Sequence, residues 1–284
     1  MTELKSVNRR AFLTGSAAAL ATTLTAGTGL AAPVAAGEVL QVWSCGGLAE
    51  AFQPANAMFE SQTGARISYT GAFAAALGKS LLGDAQTEVF APRVLDLAKK
   101  LKEQGKMLEY RPLCFTKYVL VTPKGNPAGI TSIADLKRPD VRTLLSPDSS
   151  APGGQAVMGL LKKAGVVEAA KSNATYLGSC VQHDVAEVAA GRAHVSVVEL
   201  RIAMLPKYRD RLEVMDIPEE FFPPPPIPFT IGVMKWAKNP ELARSFVDFI
   251  CSESGQAFFE AAGFIPAISK EGHRLAEKYG VHNG

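Results

Sequence analysis

The chain has 284 residues, 47% of them hydrophobic, with 30 basic and 27 acidic side chains and a formal net charge of +3. So even a balance excludes the basic footprint of a nucleic-acid-binding protein and a polybasic membrane patch.

Residues 1–10 are polar and end in Arg9-Arg10; Ala11, Phe12, Leu13 and Thr14 follow, and Gly15 to Ala36 is almost wholly Ala, Leu, Thr, Gly and Val. A charged start, an apolar middle and small residues before a cleavage point make a secretory signal peptide over 1–36. The arginine pair ahead of Phe12 and Leu13 resembles a twin-arginine export signal. The apolar stretch is rich in Thr and Gly, which suits export and disfavours a permanent anchor. Cleavage near Ala36 removes Glu3, Lys5, Arg9 and Arg10, leaving 27 basic and 26 acidic residues. The expected mature protein is soluble and long enough for two α/β lobes or one large domain.

The elements then alternate. Val39 to Trp43 reads as a buried first strand, ending in Ser44-Cys45-Gly46-Gly47. Leu48, Phe52, Ala55 and Phe59 have helical spacing, and Thr63-Gly64 stops that helix. Arg66 to Thr70 is a second strand, leading through Gly71-Ala72-Phe73-Ala74 into a helix. Thr87 to Phe90 is a third strand, and Val94 to Gln104 a helix closed by Gly105. Lys117 to Pro123 is a strand, and Thr131 to Leu136 a short capped helix. Val141 to Leu145 runs as a strand into Ser146–Gly154, after which Gln155 to Ala164 is helical. A turn at Gly178-Ser179-Cys180, a helix over Val181 to Ala190 and a strand from His194 to Glu199 complete the middle block. Leu212 to Ile217 is a strand, Pro223–Pro226 with Pro228 a stiff connector, and Phe229 to Val233 a strand. An amphipathic helix from Pro240 to Cys251 continues helically through Phe259 and ends at Gly263-Phe264-Ile265-Pro266. Such alternation predicts mostly parallel sheets covered by helices.

Asn239 to Ile250, Ser254-Gly255-Gln256 and Gly263 to Pro266 resemble the C-terminal signature of extracellular solute-binding proteins. Tyr118 to Pro127, followed by Asp135-Leu136, resembles the molybdate- and tungstate-binding branch. The resemblance implies a type II periplasmic binding protein: two α/β lobes, with mixed, mostly parallel sheets, joined by a hinge of two chain crossings near Tyr118 and the proline run. One lobe would hold 37–117 and 225–284, the other 118–224. It further implies a periplasmic, monomeric receptor without a cofactor that is not an enzyme. Its partners would be a small inorganic ion and an ABC permease in the inner membrane.

In molybdate-type receptors the ion is held by backbone amides and hydroxyls where loops start helices, in keeping with the positive end of the helix dipole. Carried onto this chain, the ligand-binding positions are Ser44, Cys45 and Gly46; Gly71, Ala72 and Phe73; Ser149, Ser150, Ala151 and Pro152; Ser179, Cys180 and Val181; and Glu199. The second loop has no hydroxyl, cysteines stand in the first and fourth, and Glu199 replaces the usual tyrosine. A carboxylate beside an oxyanion is costly unless a cation such as Arg201 offsets it. Cys45, Cys180, His183 and Glu199 offer a second reading, a soft metal or metalloid site of thiolate, imidazole and carboxylate. Cys114 and Cys251, both assigned to the first lobe, are either a structural pair or plain core residues. A thiol-based enzyme or redox sensor is a third reading, although the chain has no Gly-x-Ser-x-Gly, Cys-x-x-Cys, P-loop or His-Glu-x-x-His.

Overall fold

A computed structural model describes residues 37–149, 153–222 and 228–284. The expected signal peptide over 1–36 and the proline run Pro223–Pro226 lie outside the described residues.

The chain begins with β1 (Val39–Cys45), a 3-10 turn (Gly46–Leu48), α1 (Ala49–Thr63), β2 (Arg66–Ala72), α2 (Ala74–Leu82), β3 (Val89–Ala91) and α3 (Leu95–Glu103). The strands lie parallel in the order β3, β1, β2. Leu40, Val42 and Ser44 on alternate positions of β1 are buried, so its inner face is fixed by period-2 patterning. Helix α1 ends at Gly64, whose φ of 73° supplies the left-handed cap that Thr63-Gly64 predicted.

β4 (Met107–Phe115) then carries the chain to β5 (Tyr118–Pro123), which opens a second sheet. There follow β6 (Thr143–Leu145), α4 (Gly153–Lys163), α5 (Val167–Ser172), β7 (Ala174–Leu177), α6 (Val181–Ala189), β8 (Val195–Glu199), α7 (Leu200–Ala203) and β9 (Leu212–Asp216). The chain returns to the first sheet as β10 (Pro228–Met234), and ends with α8 (Pro240–Cys251), α9 (Glu253–Ala261), β11 (Ile265–Pro266) and α10 (Lys270–Tyr279). The six-stranded sheet has the order β11-β4-β10-β3-β1-β2, and the five-stranded sheet β7-β6-β8-β5-β9.

Each sheet is covered on both faces. In the first, Phe52 and Phe59 of α1 meet Phe246 of α8 and Phe259 of α9 on one side. Leu81, Leu101 and Leu275 from α2, α3 and α10 fill the other. In the second, α4 and α5 cover one face and α6 and α7 the other. The interior strands β5, β8 and β10 are buried along their whole length, which is why they read as continuous apolar runs.

Both sheets are mixed, with a larger antiparallel share than alternation alone predicts. β10 runs antiparallel to β3 and β4, β11 antiparallel to β4, and β5 antiparallel to β8 and β9. The difference lies chiefly in β4, unread in the sequence because Arg111 and Pro112 interrupt its apolar pattern. The pairing accommodates them with a register shift opposite Phe229/Thr230.

Candidate functional site

The parallel strands β1, β2, β3, β6, β7 and β8 point their carboxyl ends at one region, where open α/β sheets bind ligands. Two adjoining chambers occupy it, of about 640 and 510 Å³, and share Phe73, Arg93, Gln182 and Arg201 in their walls. Cys45, Gly46, Gly71, Ala72 and Phe73 line the smaller chamber. Phe73, Ser149, Ser179, Cys180, Val181 and Glu199 line the larger. Loops expected to hold a ligand, carried by the two different sheets, therefore meet across one cleft.

Local contacts hold these loops. Gly178 N donates to Leu145 O at 2.8 Å, tying the loop before α6 to the end of β6. Ser146 Oγ and Asp184 Oδ2 lie 2.5 Å apart, joining the loop after β6 to α6. Burial raises the Asp184 pKa, against the lowering effect of the Ser146 hydroxyl. A Cβ on Gly154 would stand 2.2 Å from Pro147 O, so only glycine lets α4 pack this tightly under that loop.

Glu199 ends β8 and is 5% exposed. It is fully paired: Arg93 donates through Nη2 to Oε1, and Arg201 through Nε to Oε2 at 2.6 Å. Burial by itself would raise the Glu199 pKa, but the two guanidiniums outweigh it and hold the carboxyl down at about 2. Arg93 is only 7% exposed and extends from the segment after β3, so the ion pair spans the two sheets. Its guanidinium lies 5.4 Å from the centre of the Phe229 ring. Sequence reasoning named Arg201 as a possible offset and missed Arg93. The available signal was positional, because Arg93 closely follows the C-terminal end of a parallel strand.

Three polar atoms in residues lining the larger chamber are buried without a hydrogen-bond partner among the described residues: Arg93 Nε, the Tyr118 hydroxyl and Ser149 Oγ. Tyr118 is the register partner of Glu199, so a tyrosine hydroxyl stands across the strand pair from that carboxylate. Burial pushes the Tyr118 hydroxyl pKa upward, so it stays protonated and can donate.

Two expected ligand positions are corrected. Ser44 is wholly buried, and its hydroxyl is engaged with Tyr69 Oη at 2.6 Å and Cys45 O at 3.0 Å. Inward alternation along β1 takes it away from the cleft. His183 lines neither chamber; it is exposed and its Nδ1 lies 3.1 Å from the Tyr176 hydroxyl. Cys45, Cys180, His183 and Glu199 do not come together as a metal site. Among the described residues no cluster of three or more His, Cys, Asp or Glu side chains could hold a metal ion, and Glu199 is spent on two arginines. All four cysteines are free: Cys45 and Cys114 are buried, Cys180 is exposed and Cys251 half-buried. Cys114 is a core residue whose thiol pKa is pushed up by burial, and no bond joins it to Cys251. Ser150, Ala151 and Pro152 lie outside the described residues.

A larger cavity of about 700 Å³ lies where the chain crosses between sheets, walled by Ile217, Pro218, Phe222, Phe264 and Leu275. Its wall includes none of the loops expected to hold a ligand, and among the described residues it has no buried orphan donor, so it is not the candidate site.

Residues 40–265 match the family profile of bacterial extracellular solute-binding proteins. The chain belongs to that family. YvgL of Bacillus subtilis (strain 168), by name an ABC transporter substrate-binding lipoprotein, is 26% identical over 191 residues, 66% of this chain and 71% of YvgL. Among solved structures of this solute-binding fold, the substrate-binding domain named for a molybdenum ABC transporter of Clostridium difficile superposes with a TM-score of 0.70 at 20% identity. That match covers 80% of this chain and 98% of the other. The periplasmic molybdate-binding protein of Azotobacter vinelandii superposes with a TM-score of 0.63 at 18% identity, again covering 80% and 98%. These likenesses establish the α/β fold of a type II periplasmic binding protein.

Proposed function

We propose that this protein is the substrate-binding component of an ABC importer, exported to the periplasm, and that it captures a small oxyanion between its two lobes. The first lobe would comprise 37–117 and 225–284, the second 118–224. The observation that carries the ligand class is the set of buried, unpartnered donors on Arg93, Tyr118 and Ser149 in one chamber. A buried donor without an acceptor is costly, and an oxygen-rich anion supplies the acceptors. The cleft side of Cys180, the cap residue of α6, adds the positive end of a nine-residue helix. The name of YvgL supports the transporter role, and the names of the two superposed proteins support oxyanion chemistry. Among the described residues the soft-metal reading lacks a ligand cluster.

Titration calorimetry of the exported protein against molybdate, tungstate, perrhenate and sulfate tests the proposal. At least one should bind, and Arg201→Gln should weaken that binding by about tenfold or more, the scale of a charge-assisted contact. Absence of heat from all of these anions, with tight binding of zinc or cuprous ion, would overturn it.

A further inference from the structure

The charge arrangement around Glu199 bears on which oxyanion fits. Arg93 and Arg201 bring two positive charges to the cleft, and Glu199 brings one negative charge that both of them contact. The trio is therefore singly positive. Among the described residues, the other charged side chains in the chamber walls are both acids, Asp148 in the larger and Glu50 in the smaller, and both are exposed. Among the described residues, the hydroxyls in the chamber walls are those of Tyr118, Ser149 and Ser179, all in the larger chamber. Ser44 is committed elsewhere, the second loop has none, and cysteines occupy two loop positions.

Beyond the partial positive charge at the start of α6, the described side chains of this cleft offer no further cation to offset a second negative charge. The desolvation cost of an ion rises with the square of its charge, whereas its attraction to a fixed surrounding charge rises only in proportion. A singly charged oxyanion matches the trio and takes the free Arg93 Nε, Tyr118 and Ser149 donors. A doubly charged one leaves one charge facing Glu199 without a counter-ion. We propose that Glu199 is a specificity-determining residue that sets the cleft to select singly charged oxyanions over doubly charged ones. The proposal rests on the oxyanion reading of the same cleft.

Perrhenate and tungstate are tetrahedral oxyanions of similar size that differ by one charge, so their ratio of dissociation constants isolates the effect. The wild-type protein should bind perrhenate about tenfold more tightly than tungstate, the order expected when one charge goes uncompensated. Glu199→Gln should shrink that ratio at least several-fold or reverse it. Because the Glu199→Gln variant leaves Arg93 buried beside a neutral group, its fold is checked by thermal melting. Asp148→Asn, at an exposed position, provides a second variant and should move the ratio toward tungstate by about two- to threefold, as expected for a screened charge. Equal or tighter binding of tungstate by the wild type would overturn the charge selection and leave the oxyanion reading standing. A perrhenate preference that no folded variant alters would overturn the role of Glu199. Binding of neither anion, nor of molybdate or sulfate, would remove the oxyanion reading and this proposal with it.

Discussion

Tyr118 and Glu199 are cross-strand partners, the first residue of β5 facing the last residue of β8. β5 begins directly after the first crossing from β4, so this pair ties the hinge to the cleft in one rung of sheet. Arg93 reaches the same point from the other sheet. A charge placed there therefore affects the contact between the two sheets and, on the proposed oxyanion reading, the choice of ligand.

Acid should weaken the protein through Glu199. Its carboxyl is held at about 2 against an ordinary 4.5, so it binds its proton more weakly folded than unfolded. The resulting stabilisation is complete above the ordinary value and is lost as pH falls from there toward 2. Thermal melts of the wild type and Glu199→Gln from pH 7 to pH 2.5 should converge as pH drops. A constant gap between the two curves would show that Glu199 is not ion-paired in solution.

Removing one partner should cost more than removing both. Arg93→Met leaves a buried carboxylate with Arg201 alone and should destabilise the fold by about 3–5 kcal/mol, as for broken buried pairs. The double variant Arg93→Met, Glu199→Met should recover much of that loss, because two apolar side chains can fill the space. Chemical denaturation of the four species gives the coupling directly. Additive losses would mean that the pair contributes nothing beyond its separate side chains.

Much of this architecture was legible. The amphipathic spacing from Pro240 to Cys251 marked α8, and the structure shows its start capped by Asn239 Oδ1 accepting from Leu242 N at 3.1 Å. Strand-end loops followed by helical spacing marked most of the cleft wall. What stayed hidden was long-range. β4 is a strand because β10 and β11 flank it, and its own pattern is broken by Arg111 and Pro112. Segments at 167–177 and the terminal helix α10 were unread for a similar reason, since tertiary packing stabilises elements whose local signals are weak. The position of Arg93 after a parallel strand was legible, but its pairing was not, because its partner lies 106 residues away on another sheet. Ser44 was misplaced by a single step of strand alternation, which turns a loop hydroxyl into a core one.

Val94 has a φ of 72°, a sterically disfavoured setting for a β-branched residue, and it directly follows Arg93. Its backbone is held there by a hydrogen bond from its N–H to Pro228 O at 3.0 Å. This conformation sets the course of the chain just as Arg93 leaves it for the cleft. Val94→Gly should relieve the steric cost and raise stability by about 1 kcal/mol, net of the added freedom of the unfolded chain. Binding should hold or weaken slightly as Arg93 gains freedom. A clear loss of stability, measured by denaturation, would show that the valine side chain contributes more than its backbone costs.

The lobes should close on their ligand, and Gly263 should govern how far. Two crossings between rigid sheets are the anatomy of hinge closure, so solution scattering should report a smaller radius of gyration at saturating ligand. Gly263 lies between α9 and β11 on the first sheet's side and faces α7 of the second. Its φ is +84°, and a Cβ there would stand 2.9 Å from Arg201 Cα and 2.8 Å from Met204 Cγ. The Met204 side chain can swing aside. The Arg201 backbone cannot, because α7 is anchored by Leu200 N donating to Lys117 O at 2.8 Å and by Ile202 and Ala203 in the core. Gly263→Ala must therefore strain its own backbone or push the two sheets apart, a cost of about 1–3 kcal/mol. The expected result is a lower melting temperature, a larger radius of gyration without ligand, and weaker binding, since Arg201 moves with α7. The comparison is scattering and calorimetry on wild type and Gly263→Ala under the same conditions. An unchanged radius in both proteins at saturation would rule out closure, and an unchanged affinity in Gly263→Ala would show that this contact does not set the position of Arg201.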